Sequence, residues 1–145
     1  MRIFPVLIVT FFLLLVTGCD STGLKISNPW IREVPEGIGT TALYLNIKNN
    51  NSTIDYLKGV DTDIAGTAEI HQTSVNENGI SYMKKLDRLE LPPSRNVALE
   101  PGGTHVMLIG LNRKIKDGDK VKIVLEFEKE GNREITATVR GFKNN

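Results

Sequence analysis

Residues 120–128 read Lys-Val-Lys-Ile-Val-Leu-Glu-Phe-Glu, with an apolar side chain at every odd-numbered position. Successive side chains of a β-strand point to opposite faces of the sheet. The pattern therefore predicts a strand whose odd-numbered residues lie in the core and whose mostly charged even-numbered residues face water. The fold is expected to contain a sheet with one buried face and one solvated face.

Similar runs recur along the chain, and no ten-residue stretch has convincing helical periodicity. The further predicted strands are residues 42–48, 56–60, 68–75, 80–86, 97–99, 105–111 and 134–140. Turn signals rich in Gly, Pro and Asn separate them, at residues 35–37, 49–51, 76–79, 101–103, 117–119 and 130–132. Short strands at this spacing predict a single all-β domain, either a sandwich or a small barrel.

The N-terminus has the features of a secretory signal peptide. Met1-Arg2 precedes an apolar run from Ile3 to Val16, which is shorter than the roughly 20 residues that a transmembrane helix needs. Val16-Thr17-Gly18-Cys19 resembles a bacterial lipobox, in which the cysteine thiol carries a diacylglycerol. The alternative is an ordinary secreted protein with a leftover cysteine in its signal.

Cys19 is the only cysteine in the chain. A free thiol is reactive in an oxidising compartment, whereas lipidation would use it and leave the mature domain without one. Several acyl chains, at about 0.8 kcal/mol per buried CH₂, would hold the protein stably at a membrane. We expect residues 1–18 to be a lipoprotein signal peptide, residues 19–24 to be the lipidated Cys19 with a short tether, and residues 25–142 to be the folded domain. This domain would be extracytoplasmic, on the periplasmic side in a Gram-negative cell.

The charge balance argues against a nucleic acid partner. The chain has 18 Lys and Arg against 17 Asp and Glu, and removal of the signal peptide would take away Arg2 and leave 17 of each. Nucleic acids and anionic lipid surfaces both require a basic excess. Contact with the membrane is therefore expected through the lipid anchor.

The chain has two histidines, His71 and His105, and two methionines besides the initiator, Met83 and Met107. All four lie between residues 71 and 107. His105 and Met107 are two residues apart on a predicted strand, so both side chains point to one face. The intervening Val106 is apolar, which places this pair on the polar face, and the same alternation places His71 and Met83 there.

His71 and Met83 lie on the two predicted strands that flank the turn at residues 76–79. A three-residue loop with Val75 opposite Gly79 would place His71 directly across from Met83. Two pairs of donors could then converge on one ligand.

Two imidazoles and two thioethers form a soft donor set that suits Cu(I) and fits Zn²⁺, Ca²⁺ and Mg²⁺ poorly. A blue-copper electron-transfer site needs a cysteine thiolate, and the mature domain would have none. The set therefore predicts a site that carries copper, and binding should weaken in acid because a protonated imidazole cannot ligate. The simpler alternative is four unrelated residues, two of them surface histidines and two of them methionines that fill a gap or are exposed by chance.

These residues resemble the motif of the PCu(A)C periplasmic copper chaperones, which is a His, ten residues, a Met, twenty-one residues and then His-x-Met. Here twenty-one residues separate Met83 from His105, and His105-Val106-Met107 supplies the final element. Residues 99–111 (Leu-Glu-Pro-Gly-Gly-Thr-His-Val-Met-Leu-Ile-Gly-Leu) look like the most recognisable stretch of that family. Other similar segments are Asn28-Pro-Trp-Ile-Arg32, Thr41-Ala-Leu-Tyr-Leu45, Lys116-Asp-Gly-Asp-Lys-Val121 and Leu125-Glu-Phe127.

Two positions depart from the family pattern. Eleven residues separate His71 from Met83, and the extra one is expected in the Asn-rich turn. A register slip of one residue would turn Met83 to the other face. Thr73 also stands where many relatives have a further Met.

The resemblance implies a cupredoxin-like or Ig-like Greek-key β-sandwich or small barrel that holds one Cu(I) near its surface. The implied metal ligands are His71, Met83, His105 and Met107. The resemblance also implies delivery of copper to an acceptor, chiefly the dinuclear copper centre of a cytochrome c oxidase subunit, or to another copper chaperone. Two alternatives stay open: a copper-sequestering or scavenging lipoprotein without a dedicated acceptor, and a metal-free adhesion or structural β-domain.

An enzyme is not expected. No Ser-His-Asp or Cys-His set is available after processing, and the carboxylates near the motif, such as Glu69 and Glu100, have no evident acid-base partner. Trp30 and Tyr44 are expected to pack in the β-core rather than to lie beside a metal.

Overall fold

The computed structural model describes residues 22–141, and the predicted signal peptide and Cys19 lie outside the described residues. Regular structure in this range is entirely β. The ten strands are β1 (Leu24–Arg32), β2 (Thr40–Asn49), β3 (Asp55–Thr62), β4 (Ala65–Val75), β5 (Ser81–Lys85), β6 (Leu89–Leu91), β7 (Asn96–Leu99), β8 (Thr104–Leu111), β9 (Lys120–Phe127) and β10 (Gly131–Arg140). Between residues 22 and 141, no helix is long and apolar enough to cross a membrane. The prediction of an all-β domain is confirmed.

Hydrogen bonds connect the strands in the order β5-β4-β8-β2-β1-β10-β9-β3-β6, and β7 pairs with β2. The pairing of β1 with β10 is parallel, and the other pairs described are antiparallel. The continuous sheet folds around one apolar cluster, to which every strand except β5 contributes a buried side chain. All five residues of β5 are exposed, because this strand lies at the end of the order and extends past the core.

Strands β1 and β6 were not predicted from the sequence. For β1 the structure gives the reason. Leu24 is buried, and the pairing register with β2 shifts between Ser27 and Trp30, where Asn28 has a φ of +53°. A β-bulge inserts one residue and thereby exchanges the faces of the residues that follow. Ile31 is consequently buried and Trp30 turns to the outer face, so the strand has no single alternation that a sequence pattern could reveal.

The β4–β5 hairpin has a longer loop than predicted. Val75 pairs with Ser81 instead of Gly79, so the loop contains five residues rather than three. The side-chain oxygen of Asn76 accepts hydrogen bonds from two backbone N–H groups of this loop, at 3.0 and 2.9 Å. Asn side chains stabilise turns in this way by replacing backbone acceptors.

The predicted pairing of His71 with Met83 was therefore wrong. His71 lies opposite Lys85, and Met83 lies opposite Thr73. The register differs from the predicted one by two residues, which is an even number, so Met83 keeps the face that it shares with His71.

Candidate metal centre

The two histidines lie directly opposite each other on neighbouring strands. His71 of β4 pairs with His105 of β8, and the centroids of their rings are 6.1 Å apart. Ile70 and Val106, the adjacent pair, point into the core. The imidazoles therefore share the outer face, although His105 is only 7% exposed.

The ring of His105 is held from two sides. Its Nδ1 lies 3.1 Å from the carbonyl oxygen of Gly103, and because a carbonyl only accepts, Nδ1 must carry the proton. The other nitrogen of a neutral imidazole, Nε2, then has the free lone pair. The ring of Tyr44, which is 5% exposed, packs with its centroid 6.3 Å from that of His105. His105 thus presents Nε2 from a fixed, almost buried position.

His71 has the opposite arrangement of its nitrogens. Its Nε2 lies 2.9 Å from a carboxylate oxygen of Glu69, and donation to that carboxylate leaves the lone pair of a neutral ring on Nδ1. Nδ1 is buried and has no hydrogen-bond partner among residues 22–141. A buried polar atom without a partner is costly and rare. A metal ion bound to this nitrogen would satisfy it, so the atom fits a ligand role.

Glu69 is itself held in place. Its second carboxylate oxygen accepts a hydrogen bond from Lys85 Nζ at 2.7 Å. Hydrogen bonds from Lys85 and then from His71 hold the pKa of Glu69 below its ordinary value of 4.5. The carboxylate is therefore ionised at neutral pH and orients the His71 ring, as carboxylates commonly do for metal-binding histidines.

The two methionines differ in position and in exposure. Met107 is half-buried on β8 and lies opposite Glu69, next to the histidine pair. Met83 is 55% exposed on β5 and lies opposite Thr73. The structure thus brings His71, His105 and Met107 together on two neighbouring strands, and places Met83 on the same face but farther out along the hairpin.

Trp30 and Tyr44 were expected to pack in the β-core. Tyr44 is buried, as expected, but it packs outside the main core cluster, with its ring centroid 4.5 Å from that of Trp30 and 6.3 Å from that of His105. Alternation in β2 contains a signal for Tyr44, since Leu43 and Leu45 on either side of it are buried. No such signal exists for Trp30, because the bulge in β1 sets its direction.

Glu69 and Lys85 were also missed as parts of the centre. Glu69 is two residues from His71, so period-two logic placed it on the right face, but its contact with Lys85 depends on the hairpin register. That register was predicted incorrectly.

Comparison with solved structures identifies the class of this domain. The chain is 29% identical to the copper-bound PCuAC domain from PmoF2, with a TM-score of 0.71, and the match covers 84% of this chain and 97% of that one. The apo PCuAC domain from PmoF1 is 30% identical, with a TM-score of 0.73 and coverage of 84% and 98%. Apo-DR1885 from Deinococcus radiodurans is 26% identical, with a TM-score of 0.65 and coverage of 98% and 95%. The fold is thus the cupredoxin-like β-sandwich of PCuAC domains, as predicted.

Residues 24–139 match the family described as "Putative lipoprotein LpqE-like", and the chain belongs to this family. One relative, "Putative lipoprotein Lxx21020" of Leifsonia xyli subsp. xyli, is 28% identical over 126 residues, which are 86% of this chain and 74% of the relative. Another, "Uncharacterized protein RP573" of Rickettsia prowazekii, is 31% identical over 104 residues, which are 69% of this chain and 57% of the relative.

Proposed function

We propose that this domain binds one Cu(I) ion through His71, His105 and Met107, with Met83 as a fourth ligand, and delivers the ion to another protein. One observation carries the proposal. Among residues 22–141, the buried Nδ1 of His71 has no hydrogen-bond partner, and the centroid of its ring lies 6.1 Å from that of the His105 ring. Homology to PCuAC domains, one of them described as copper-bound, supports copper as the metal.

The hydrogen bonds around the imidazoles determine which atoms would bind the metal. His71 would use Nδ1, because Glu69 engages its Nε2, and His105 would use Nε2, because Gly103 engages its Nδ1. Both rings must be neutral to ligate. The sulfur of Met107 would add a soft donor, which favours Cu(I) over harder divalent ions.

The distribution of exposure supports a delivery role. His105 is nearly buried, whereas Met83 is 55% exposed on an edge strand. Ligands of an acceptor protein could replace the exposed thioether first and then the remaining donors, so the ion would never be released to water. The proposed acceptor is the dinuclear copper centre of cytochrome c oxidase.

We further propose that Cys19 is lipidated and holds the domain on the extracytoplasmic side of a membrane. Membership of a lipoprotein family supports this location. An anchored carrier would meet a membrane-bound acceptor by diffusion in two dimensions.

Anaerobic Cu(I) titration against a chelator of known affinity tests the binding proposal. The wild-type protein should take up one equivalent, and the His71→Ala/His105→Ala variant should bind no more tightly than an unrelated protein. Because Cu(I) is diamagnetic, long-range ¹H–¹⁵N spectra can identify the bound nitrogens, which should be Nδ1 of His71 and Nε2 of His105. Equal affinity of wild type and the double variant would refute the proposal and favour a metal-free structural domain.

Transfer requires a second measurement. The loaded protein is mixed anaerobically with an apo copper-binding subunit of the oxidase, the two proteins are separated at successive times, and the copper content of each is measured, with a reductant-matched buffer as control. Transfer faster than that from free Cu(I)–chelator complexes would support delivery. Tight binding without transfer to any copper protein tested would indicate sequestration instead.

A further inference from the structure

Both oxygens of the Glu69 carboxylate are engaged by side chains of the centre. Nε2 of His71 lies 2.9 Å from one oxygen, and Nζ of Lys85 lies 2.7 Å from the other. Lys85 is directly opposite His71 on β5, so the strand pairing places its ammonium group over the carboxylate. The arrangement leaves Glu69 without an oxygen directed only at solvent.

The position of Glu69 would otherwise suit a metal ligand. It lies on the face of the two histidines, two residues from His71 and opposite Met107. Cross-strand and diagonal neighbours on one face have Cβ atoms about 5 to 8 Å apart, which is within reach of a long side chain. Two imidazoles and one Glu carboxylate are a donor set that binds Zn²⁺. As arranged within residues 22–141, however, no group of three His, Cys, Asp or Glu side chains forms a metal site.

We propose that Lys85 sets the metal selectivity of this centre by holding the Glu69 carboxylate on His71 and away from the ion. The inference rests on the proposed function, since it assumes that His71 and His105 bind metal. A charge-assisted hydrogen bond to an ammonium group is among the stronger ones in proteins. While it is made, the donor set consists of imidazoles and thioethers and disfavours Zn²⁺. Without Lys85, Glu69 can turn toward the ion and complete a His₂Glu set.

Zinc affinity of a Lys85→Met variant tests the proposal. Zn²⁺ is redox-inert, and its affinity is measured at neutral pH by competition with a chromophoric zinc chelator, using the full-length protein in detergent. Outer-shell changes typically alter metal affinity by about 10- to 100-fold, so Lys85→Met should bind Zn²⁺ at least about tenfold more tightly than wild type. A gain of affinity cannot result from partial unfolding.

Three further variants separate the role of the carboxylate from that of charge. Lys84→Met removes an equal charge from the opposite face of β5, where Lys84 pairs with Gln72, and should leave zinc affinity unchanged. Glu69→Gln/Lys85→Met should lose the gain, because the amide is a poor zinc ligand. Lys85→Arg should keep the low zinc affinity of wild type, because the guanidinium can still hold the carboxylate.

The inference is overturned if Lys85→Met binds Zn²⁺ no better than wild type, if the double variant keeps the gain, or if Lys84→Met produces an equal gain. In each of these cases, Cu(I) binding by the wild-type protein would still support the proposed function. Wild-type protein that binds no Cu(I) refutes the proposed function itself. The two failures are therefore distinguishable.

Discussion

Met83 and Met107 cannot both reach one ion while the β4–β5 hairpin keeps the conformation seen in the structure. They pair with Thr73 and Glu69, which are about 13 Å apart along β4 at roughly 3.3 Å per residue. Strands β5 and β8 flank β4 and are about 9.5 Å apart, so the two methionine Cα atoms are separated by about 16 Å. Two extended methionine side chains with a metal ion between their sulfurs cover only about 13 Å. A four-coordinate site therefore requires the hairpin to bend.

This geometry predicts unequal losses when each thioether is removed. Met83→Leu should lower Cu(I) affinity by less than about tenfold, or about 1.4 kcal/mol. In the wild-type protein, binding through Met83 costs roughly 1.5 to 2 kcal/mol for ordering its side chain. It also costs about 1 kcal/mol for each hairpin hydrogen bond that breaks on bending, and these costs offset most of the gain from the Cu–S bond. Met107 lies on a strand paired on both sides, so it needs no rearrangement. Met107→Leu should lower Cu(I) affinity by at least about 100-fold, because the loss of a direct ligand should have at least the effect of the strongest outer-shell substitutions.

The assay is an anaerobic competition titration of both variants against one Cu(I) chelator, with urea unfolding midpoints recorded on the same samples. Leu and Met have similar volumes, and such exchanges usually cost less than about 1.5 kcal/mol of stability. Tyr82→Leu is the matched control, because Tyr82 is 51% exposed on the other face of the same hairpin. This variant should bind Cu(I) as wild type does.

A Met83→Leu loss as large as that of Met107→Leu would refute the register argument. It would mean that the hairpin closes over the ion at negligible cost, and that both thioethers hold the metal equally. Loss of affinity in Tyr82→Leu as well would show that the hairpin acts through its conformation rather than through the sulfur.

Three other outcomes are expected. Trp30 is the only tryptophan and stacks on Tyr44 beside His105, so Cu(I) titration should change its fluorescence, and Tyr44→Leu should reduce that change. The lowered pKa of Glu69 stabilises the apo protein above pH 4.5 and loses this effect as the pH falls through the shifted pKa; the difference in urea midpoint between wild type and Glu69→Gln should therefore shrink below pH 4.5. Leu108 is fully buried, and Leu108→Ala should cost about 2 to 5 kcal/mol in urea unfolding.

Each of these outcomes has a contrary result. Unchanged Trp30 emission at full copper occupancy would contradict the placement of the aromatic pair beside the site. A constant midpoint difference down to strongly acidic pH would show that ionised Glu69 contributes nothing to folding. A Leu108→Ala cost below about 1 kcal/mol would place that side chain outside a close-packed core.

Alternation predicted those strands whose two faces have different surroundings throughout their length. In β9 the residues that face the core and those that face water never exchange, so its pattern is clear. In β1 the bulge at Asn28 exchanges the faces, and the pattern of each half is too short to stand out. The predicted length of the hairpin loop was wrong for a local reason, because the hydrogen bonds of the Asn76 side chain favour a five-residue turn.

The candidate ligands could be proposed from sequence because His and internal Met are rare in this chain and fall at a distinctive spacing. The residues that hold these ligands in place could not be proposed from the sequence. The contact of Glu69 with Lys85 depends on the register of β5, and Tyr44 meets His105 through the pairing of β2 with β8. Such cross-strand neighbours are set by long-range pairing, which residue spacing along one strand does not specify.

The supporting contacts also divide the centre into two parts with different mechanical properties. His105 is fixed by Gly103 and by a buried tyrosine on a strand paired on both sides. His71 is oriented by Glu69, whose other partner, Lys85, lies on the exposed edge strand that also contains Met83. A protein that docks against β5 would therefore displace Lys85 and Met83 together. Loss of the Lys85 contact would free Glu69 and loosen His71, so docking at one edge would weaken two of the four proposed ligands while His105 and Met107 still held the ion.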